Sequence, residues 1–160
     1  MRKVRILVKT EEPLVEIWDL IIDVKNWDKL IKFVQKIIIK DFVRIDTKFY
    51  DITAILWIPT KIEHKIIDVQ KYKKFQMEAY LPLRTGKMLQ TILIKKKGKY
   101  SEVEIEIKFK INFFLLDFLF GYILERRLEI MVRETLLSLQ ERLNREHEKN
   151  GVQRKSEILT

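Results

Sequence analysis

From Glu102 to Ile111 the chain alternates strictly. Val103, Ile105, Ile107, Phe109 and Ile111 fall on one side, and Glu104, Glu106, Lys108 and Lys110 on the other. A period of two is a β-strand with one buried face and one wet face. Just beyond it the period changes to that of a helix. Leu124, Leu128, Met131, Val132, Thr135, Leu136, Leu139 and Leu143 form an apolar stripe, with Arg126, Arg133, Glu141 and Arg142 filling much of the rest. A sheet with one dry face followed by a helix with one dry stripe buries the two against each other.

The earlier segments supply the rest of that sheet. Arg2 to Lys9, rich in Val and Ile, reads as a first strand. Thr10-Glu11-Glu12-Pro13 then opens a short helix: Pro13 suits the first helical position, and the glutamates favour the positive end of the helix dipole. Leu14, Trp18, Ile21 and Ile22 recur at helical spacing up to Asp23, and a second short helix or turn follows over Asn26 to Ile31. Strand-like segments come next at Phe33–Lys40, Lys48–Ile58 (stopped by Pro59-Thr60), Lys61–Gln70, Lys74–Leu81 and Lys87–Lys96. Pro82 to Gly86 marks a turn, and Lys97-Gly98-Lys99 a hairpin tip. The order predicts an α+β fold: a curved, seven-stranded antiparallel sheet wrapped around a long C-terminal helix, with two short helices after the first strand. The first strand is expected to join the last. Residues 1–148 are read as a single domain and residues 149–160, after a helix stop at Asn150-Gly151, as a flexible tail. Gly121 is expected to mark a bend or a join in the long helix.

Composition removes several function classes. There are no cysteines and only two histidines, His64 and His147, so thiolate zinc sites, cysteine nucleophiles and histidine-rich metal sites are excluded. The four glycines stand alone and cannot build a phosphate loop. No cofactor and no metal are expected. Residues 1–112 hold 24 basic and 15 acidic residues, whereas residues 113–148 hold five and seven. The excess therefore lies on the strands. It favours anionic partners, including an anionic ligand or transient contact with acidic lipid, over a neutral surface; plain solubility is the bland alternative. The N-terminus lacks a signal-peptide stretch, and the apolar run Ile111 to Leu124 is shorter than the roughly twenty residues that span a bilayer. A cytoplasmic location is the expectation. Abundant Ile, Lys and Glu with scarce Gly is a composition of the thermophilic kind.

The N-terminal text supplies a resemblance. Glu12-Pro13, Val15-x-x-Trp18-x-Leu20-x-x-Asp23 and Asn26-Trp27, with Lys61-Ile62 on the fourth strand and Thr135-Leu136-x-x-Leu139 on the last helix, resemble the START-type, birch-pollen-allergen-like helix-grip superfamily (SRPBCC), and its polyketide cyclase/dehydrase-like members most closely. The resemblance covers residues 2–148 in architecture. It implies an apolar cavity between sheet and long helix that takes lipids, sterols, polyketides or other hydrophobic molecules. One departure bears on that: glycine is scarce and large Ile, Phe and Trp side chains crowd the strands, so a small or filled cavity is expected.

Polar residues inside apolar strands mark a cavity wall, because burying them unpaired is costly. His64, between Ile62 and Ile66, is read either as a ligand-orienting or acid–base group or as a histidine satisfied by a neighbour. Asp51 and Thr53 share a face with Phe49; Asp51 is read either as facing a ligand or, preferentially, as facing water and pairing with a lysine across strands. Gln90 sits between Met88 and Ile92, and Tyr80 lies on the face opposite Met77. With Trp57 beside Pro59, Ile107 and Phe109 on the last strand, and Leu128, Met131 and Thr135 on the helix, these complete the candidate ligand-binding set. Trp18 and Trp27 are assigned to packing. Phe113, Phe114, Phe118 and Phe120 are read as plugging one end of the sheet or, alternatively, as docking on a membrane or lining the pocket entrance. Lys95 to Lys99, a basic hairpin tip, is read as a solvated turn or, alternatively, as a contact for phosphates. No catalytic set assembles around His64, and His147 lies near a helix end.

Three functions follow in order. The first is binding or transport of a hydrophobic small molecule or lipid. The second is a cyclase, aromatase or dehydratase using the same cavity. The third, a basic-surface module that contacts protein or nucleic acid, is the least favoured. The oligomeric state is not legible.

Overall fold

The computed structural model describes residues 1–54, 58–81, 85–112 and 114–157. Seven strands appear: β1 (Arg2–Thr10), β2 (Val34–Ile39), β3 (Lys48–Ala54), β4 (Pro59–Gln70), β5 (Lys74–Tyr80), β6 (Gly86–Lys97) and β7 (Tyr100–Ile111). Two short helices, α1 (Leu14–Ile22) and α2 (Trp27–Leu30), follow β1 with one 3-10 turn at Val24–Asn26 between them, and α3 (Phe114–Glu157) ends the chain. The strands form one antiparallel sheet in the order β1-β7-β6-β5-β4-β3-β2. The first strand does join the last, in a register that sets Val4 opposite Ile107 and Ile6 opposite Ile105. Register shifts between Val34 and Lys36 and between Ile66 and Asp68 interrupt the ladders. Such bulges increase the local twist and help the sheet curl.

The inner face carries Phe49, Ile62, Ile66, Phe75, Met77, Val103, Ile105, Ile107 and Phe109, all buried. Against it lie α1 and α2 at one end and α3, which packs chiefly on β1 and β7 through Leu124, Leu128, Val132, Leu136 and Leu139. Trp18 and Trp27 are buried, as assigned. Trp18 meets Tyr72 edge-on at 6.1 Å, and the Trp27 indole N–H donates to the Ile21 carbonyl at 3.1 Å.

Three features of α3 differ from expectation. Gly121 is not a join, since the helix runs through it. A Cβ there would lie 2.6 Å from the Arg2 Nε, and Arg2 crosses at that point to bond Asp117 at 3.3 Å and Glu125 at 3.0 Å. The glycine makes room for the cation that ties β1 to α3. The helix also continues past Asn150-Gly151 to Glu157. One glycine inside a helix costs only about 1 kcal/mol, less than the good helix formers around it supply together. Phe118 and Phe120 do not plug the sheet: they are 72% and 44% exposed. Phe113 and the side chains of Phe114 and His147 lie outside the described residues. No helix among the described residues is long and apolar enough to cross a membrane.

The outer face of the sheet is a charge ladder. Glu102 and Glu104 are buried beneath the stems of the cations they meet: Lys97 at 2.8 Å and Arg5 at 2.6 Å. Hydrogen bonding from Lys97 holds the Glu102 carboxyl below its ordinary 4.5, against the opposing effect of burial. Lys108 and then Lys3 do the same for Glu106, and Lys87 for Glu78. A carboxylate depressed in the folded state stabilises fully above its unfolded value and loses that contribution as pH falls through its folded value. The urea midpoint is therefore expected to stay level down to about pH 5 and to fall progressively below about pH 4.5. A midpoint unchanged down to about pH 3 would contradict this assignment.

Candidate functional site

Between the inner face and α3 a cavity of about 90 Å³ remains. Its polar wall comes from neighbouring strands. Phe49 pairs with His64 and Asp51 with Ile62 across β3 and β4, so Asp51 and His64 are diagonal neighbours on the inner face. Their contact is direct: His64 Nε2 lies 2.9 Å from Asp51 Oδ2. The imidazole stacks on the Phe49 ring, with centroids 4.7 Å apart and planes 7° from parallel. Thr53 follows two residues along β3 on the same face. Asp51, Thr53 and His64 are 7%, 3% and 5% exposed.

This wall is under-satisfied. Five buried side-chain oxygen or nitrogen atoms among the described residues have no hydrogen-bond partner, and three are here: Asp51 Oδ1, His64 Nδ1 and Thr53 Oγ1. Each such atom costs about 1–3 kcal/mol. Native interiors carry few of them, so three around one void need a reason.

The rest of the wall is apolar and adaptable. Met77, Met88 and Met131, which are all the methionines after Met1, line the cavity together with Gln90, Ile107 and Leu128. Thr135 lines it too, but its hydroxyl hydrogen is already given to the Met131 carbonyl at 2.7 Å. Trp27, Ile31 and Val34 close one side, with Ile62, Ile105 and Val132 elsewhere on the wall. A second void of about 40 Å³ adjoins it beneath Leu136 and Leu139, sharing Trp27, Gln90 and Thr135 as walls.

Ten of the thirteen candidate residues thus meet around one void. The others do not. Tyr80 is on the outer face, where its hydroxyl donates to Glu78 at 3.2 Å; Met77 and Ala79 take the inward positions of β5 and leave Tyr80 the outward one. Phe109 is inward and fully buried, but it packs in the solid core beside Met88 rather than on the void. Trp57 lies outside the described residues. Asp51, expected to face water beside a lysine, faces inward on His64 instead. Ile62 and Ile105 were within reach of sequence reasoning, as inward neighbours two positions from His64 and Ile107. Trp27, Ile31 and Val34 were not, because only tertiary packing brings them there. A larger hollow of about 690 Å³ by the loop after β2 is open surface, walled by exposed Asp41, Arg44, Ile45 and Lys48. No cluster of three or more metal-ligating side chains occurs among the described residues.

No protein-family model matches the sequence, and no curated protein matches it. Solved structures do match the fold. A START superfamily protein from Mycobacterium smegmatis superposes with a TM-score of 0.73 at 9% identity, over 89% of this chain and 97% of that one. An aromatase/cyclase from a Streptomyces species gives 0.69 at 13% identity, over 92% and 94%. A protein from Thermus thermophilus gives 0.72 at 13% identity, over 89% and 97%. These likenesses lie in the fold: the chain has a helix-grip fold, one antiparallel sheet with short helices after its first strand and a long final helix, and it shares that fold with these solved structures.

Proposed function

We propose that the protein binds a small, mostly apolar molecule between the sheet and α3, with the molecule's polar end against Asp51, His64 and Thr53. The observation that carries this reading is the coincidence of a void with three buried, unpartnered polar atoms on its wall. Burial supplies the affinity, at about 25 cal/mol per Å² of apolar area, and the polar wall fixes orientation. Size follows from volume. An engineered cavity of about 150 Å³ admits benzene, so this void and the one adjoining it together suit on the order of five heavy atoms. A lipid chain or polyketide enters only if Met77, Met88 and Met131 swing aside. Methionine is the apolar side chain best suited to that, with three rotatable bonds and no branch.

A second reading rests on the same pair. A histidine whose Nε2 is held by a carboxylate and whose Nδ1 is unengaged has the arrangement that proton abstraction needs. With a substrate in hand, His64→Ala separates the two: an enzyme loses kcat on substrate that still saturates the site, whereas a carrier binds its ligand more weakly and shows no turnover in either form.

Titration calorimetry with alcohols and ketones of about three to six carbons tests the first reading. Saturable one-site binding is expected for the wild type. Thr135→Phe sends a ring into both voids and is expected to weaken binding at least about tenfold, since the volume the ligand needs is gone. Binding that survives the substitution unchanged would put the ligand elsewhere.

A further inference from the structure

We infer that this cavity selects a molecule whose polar end donates hydrogen bonds, an alcohol or an amine, and rejects a carboxylate. The inference rests on the binding reading above and narrows it to a ligand class. It starts from the hydrogen between Asp51 and His64. A carboxylate only accepts, so at 2.9 Å the hydrogen belongs to Nε2. A neutral imidazole protonated on Nε2 presents Nδ1 as a bare acceptor. Asp51 Oδ1 is a second acceptor, and the Thr53 hydroxyl serves either way. Two of the three unpartnered atoms therefore ask for a donor.

The charge around them points the same way. No lysine or arginine lines the cavity among the described residues, although the chain as a whole carries +9. The described cations that pair do so on the outer face, around α3 or in the loops. A ligand carboxylate would sit beside the Asp51 carboxylate in a poorly screened interior, lone pair against lone pair, with no counter-charge. A hydroxyl gives its hydrogen to Nδ1 or Oδ1 and accepts from Thr53. An ammonium gives more hydrogens and meets the carboxylate as an opposite charge. The anionic ligand suggested by overall composition is thus disfavoured at this wall.

A four-carbon series tests it: butane, butan-1-ol, n-butylamine and butyrate, titrated into the ¹⁵N-labelled full chain at about pH 8 and followed by the amide shifts of residues 62–64, 105–107 and 128–132. Butan-1-ol is expected to bind at least about 30-fold more tightly than butyrate, because like charges brought together in a dry site are strongly disfavoured. Asp51→Asn removes that charge and adds a donor, and should narrow the ratio to about threefold or less. The ring ¹⁵N signals of His64 give a reading on the unmodified chain, independent of how the variant folds: hydrogen on Nε2 and none on Nδ1 is the expected pattern. Butyrate binding as well as butan-1-ol, or a protonated Nδ1, overturns the inference while leaving a ligand cavity in place. No shift with any of the four, butane included, overturns the binding reading and this inference with it.

Discussion

Replacing Asp51 and His64 together, as Asp51→Leu with His64→Phe, is expected to leave the protein at least as stable as the wild type and up to about 4 kcal/mol more stable, whereas Asp51→Leu alone, which strands the His64 Nε2–H, should cost about 1–3 kcal/mol. The asymmetry follows from burial. Both side chains are out of water, and their mutual contact returns only part of the desolvation cost while Oδ1 and Nδ1 stay unpaired. Removing one partner strands the other. Removing both substitutes apolar packing, with a phenyl ring at position 64 still able to stack on Phe49. Urea midpoints of the wild type, the single and the double variant decide the matter. A double variant as unstable as the single one would make the pair a structural element, and its claim to a ligand would lapse. A gain in stability with loss of alcohol binding is the signature of a site kept for function.

Trp27→Ala is the second large effect, at about 3–5 kcal/mol of lost stability. Trp27 is 5% exposed and sits edge-on to Phe49 at 6.0 Å and to Phe75 at 5.9 Å, and its N–H satisfies the Ile21 carbonyl. It also walls both voids. Truncating it removes the aromatic packing, leaves a carbonyl without its donor and merges the removed volume with the cavity. The variant should therefore gain a ligand the wild type refuses. Benzene, which needs about 150 Å³, is expected to raise the Tm of Trp27→Ala and to leave the wild type unchanged. A benzene effect of equal size on both proteins would mean that the native void is already larger, or that the site lies elsewhere.

The parts of the fold that could be read from residues alone are those where one face is wet. β7 declared itself because Glu104, Glu106 and Lys108 had to stay off the core face while Ile105, Ile107 and Phe109 turned inward. The closure of β1 on β7 followed, since a one-sided sheet needs its first strand somewhere. Asp51, Thr53 and His64 stood out as polar residues in apolar strands, and they do meet around the void. What stayed hidden was the sign of each face. Alternation makes Tyr80 and Met77 opposites without saying which is inside; pairing with Ile66 turns Met77 inward. The same ambiguity concealed that Asp51 turns toward His64 rather than toward a lysine. Gly121 read as a bend or a join because the arginine it accommodates is 119 positions earlier in the chain, where no local pattern could connect them. Phe118 and Phe120 misled in a similar way, since an aromatic cluster in sequence is spread around a helix in space.

The account stands on the void itself. Crystals pressurised with xenon and measured for its anomalous signal test this most directly. The account predicts a xenon atom between the sheet and α3, in contact with Met77, Met88 and Met131 and close to the His64 ring. Xenon absent from that space, or found only in the surface hollow by Arg44 and Lys48, would contradict it.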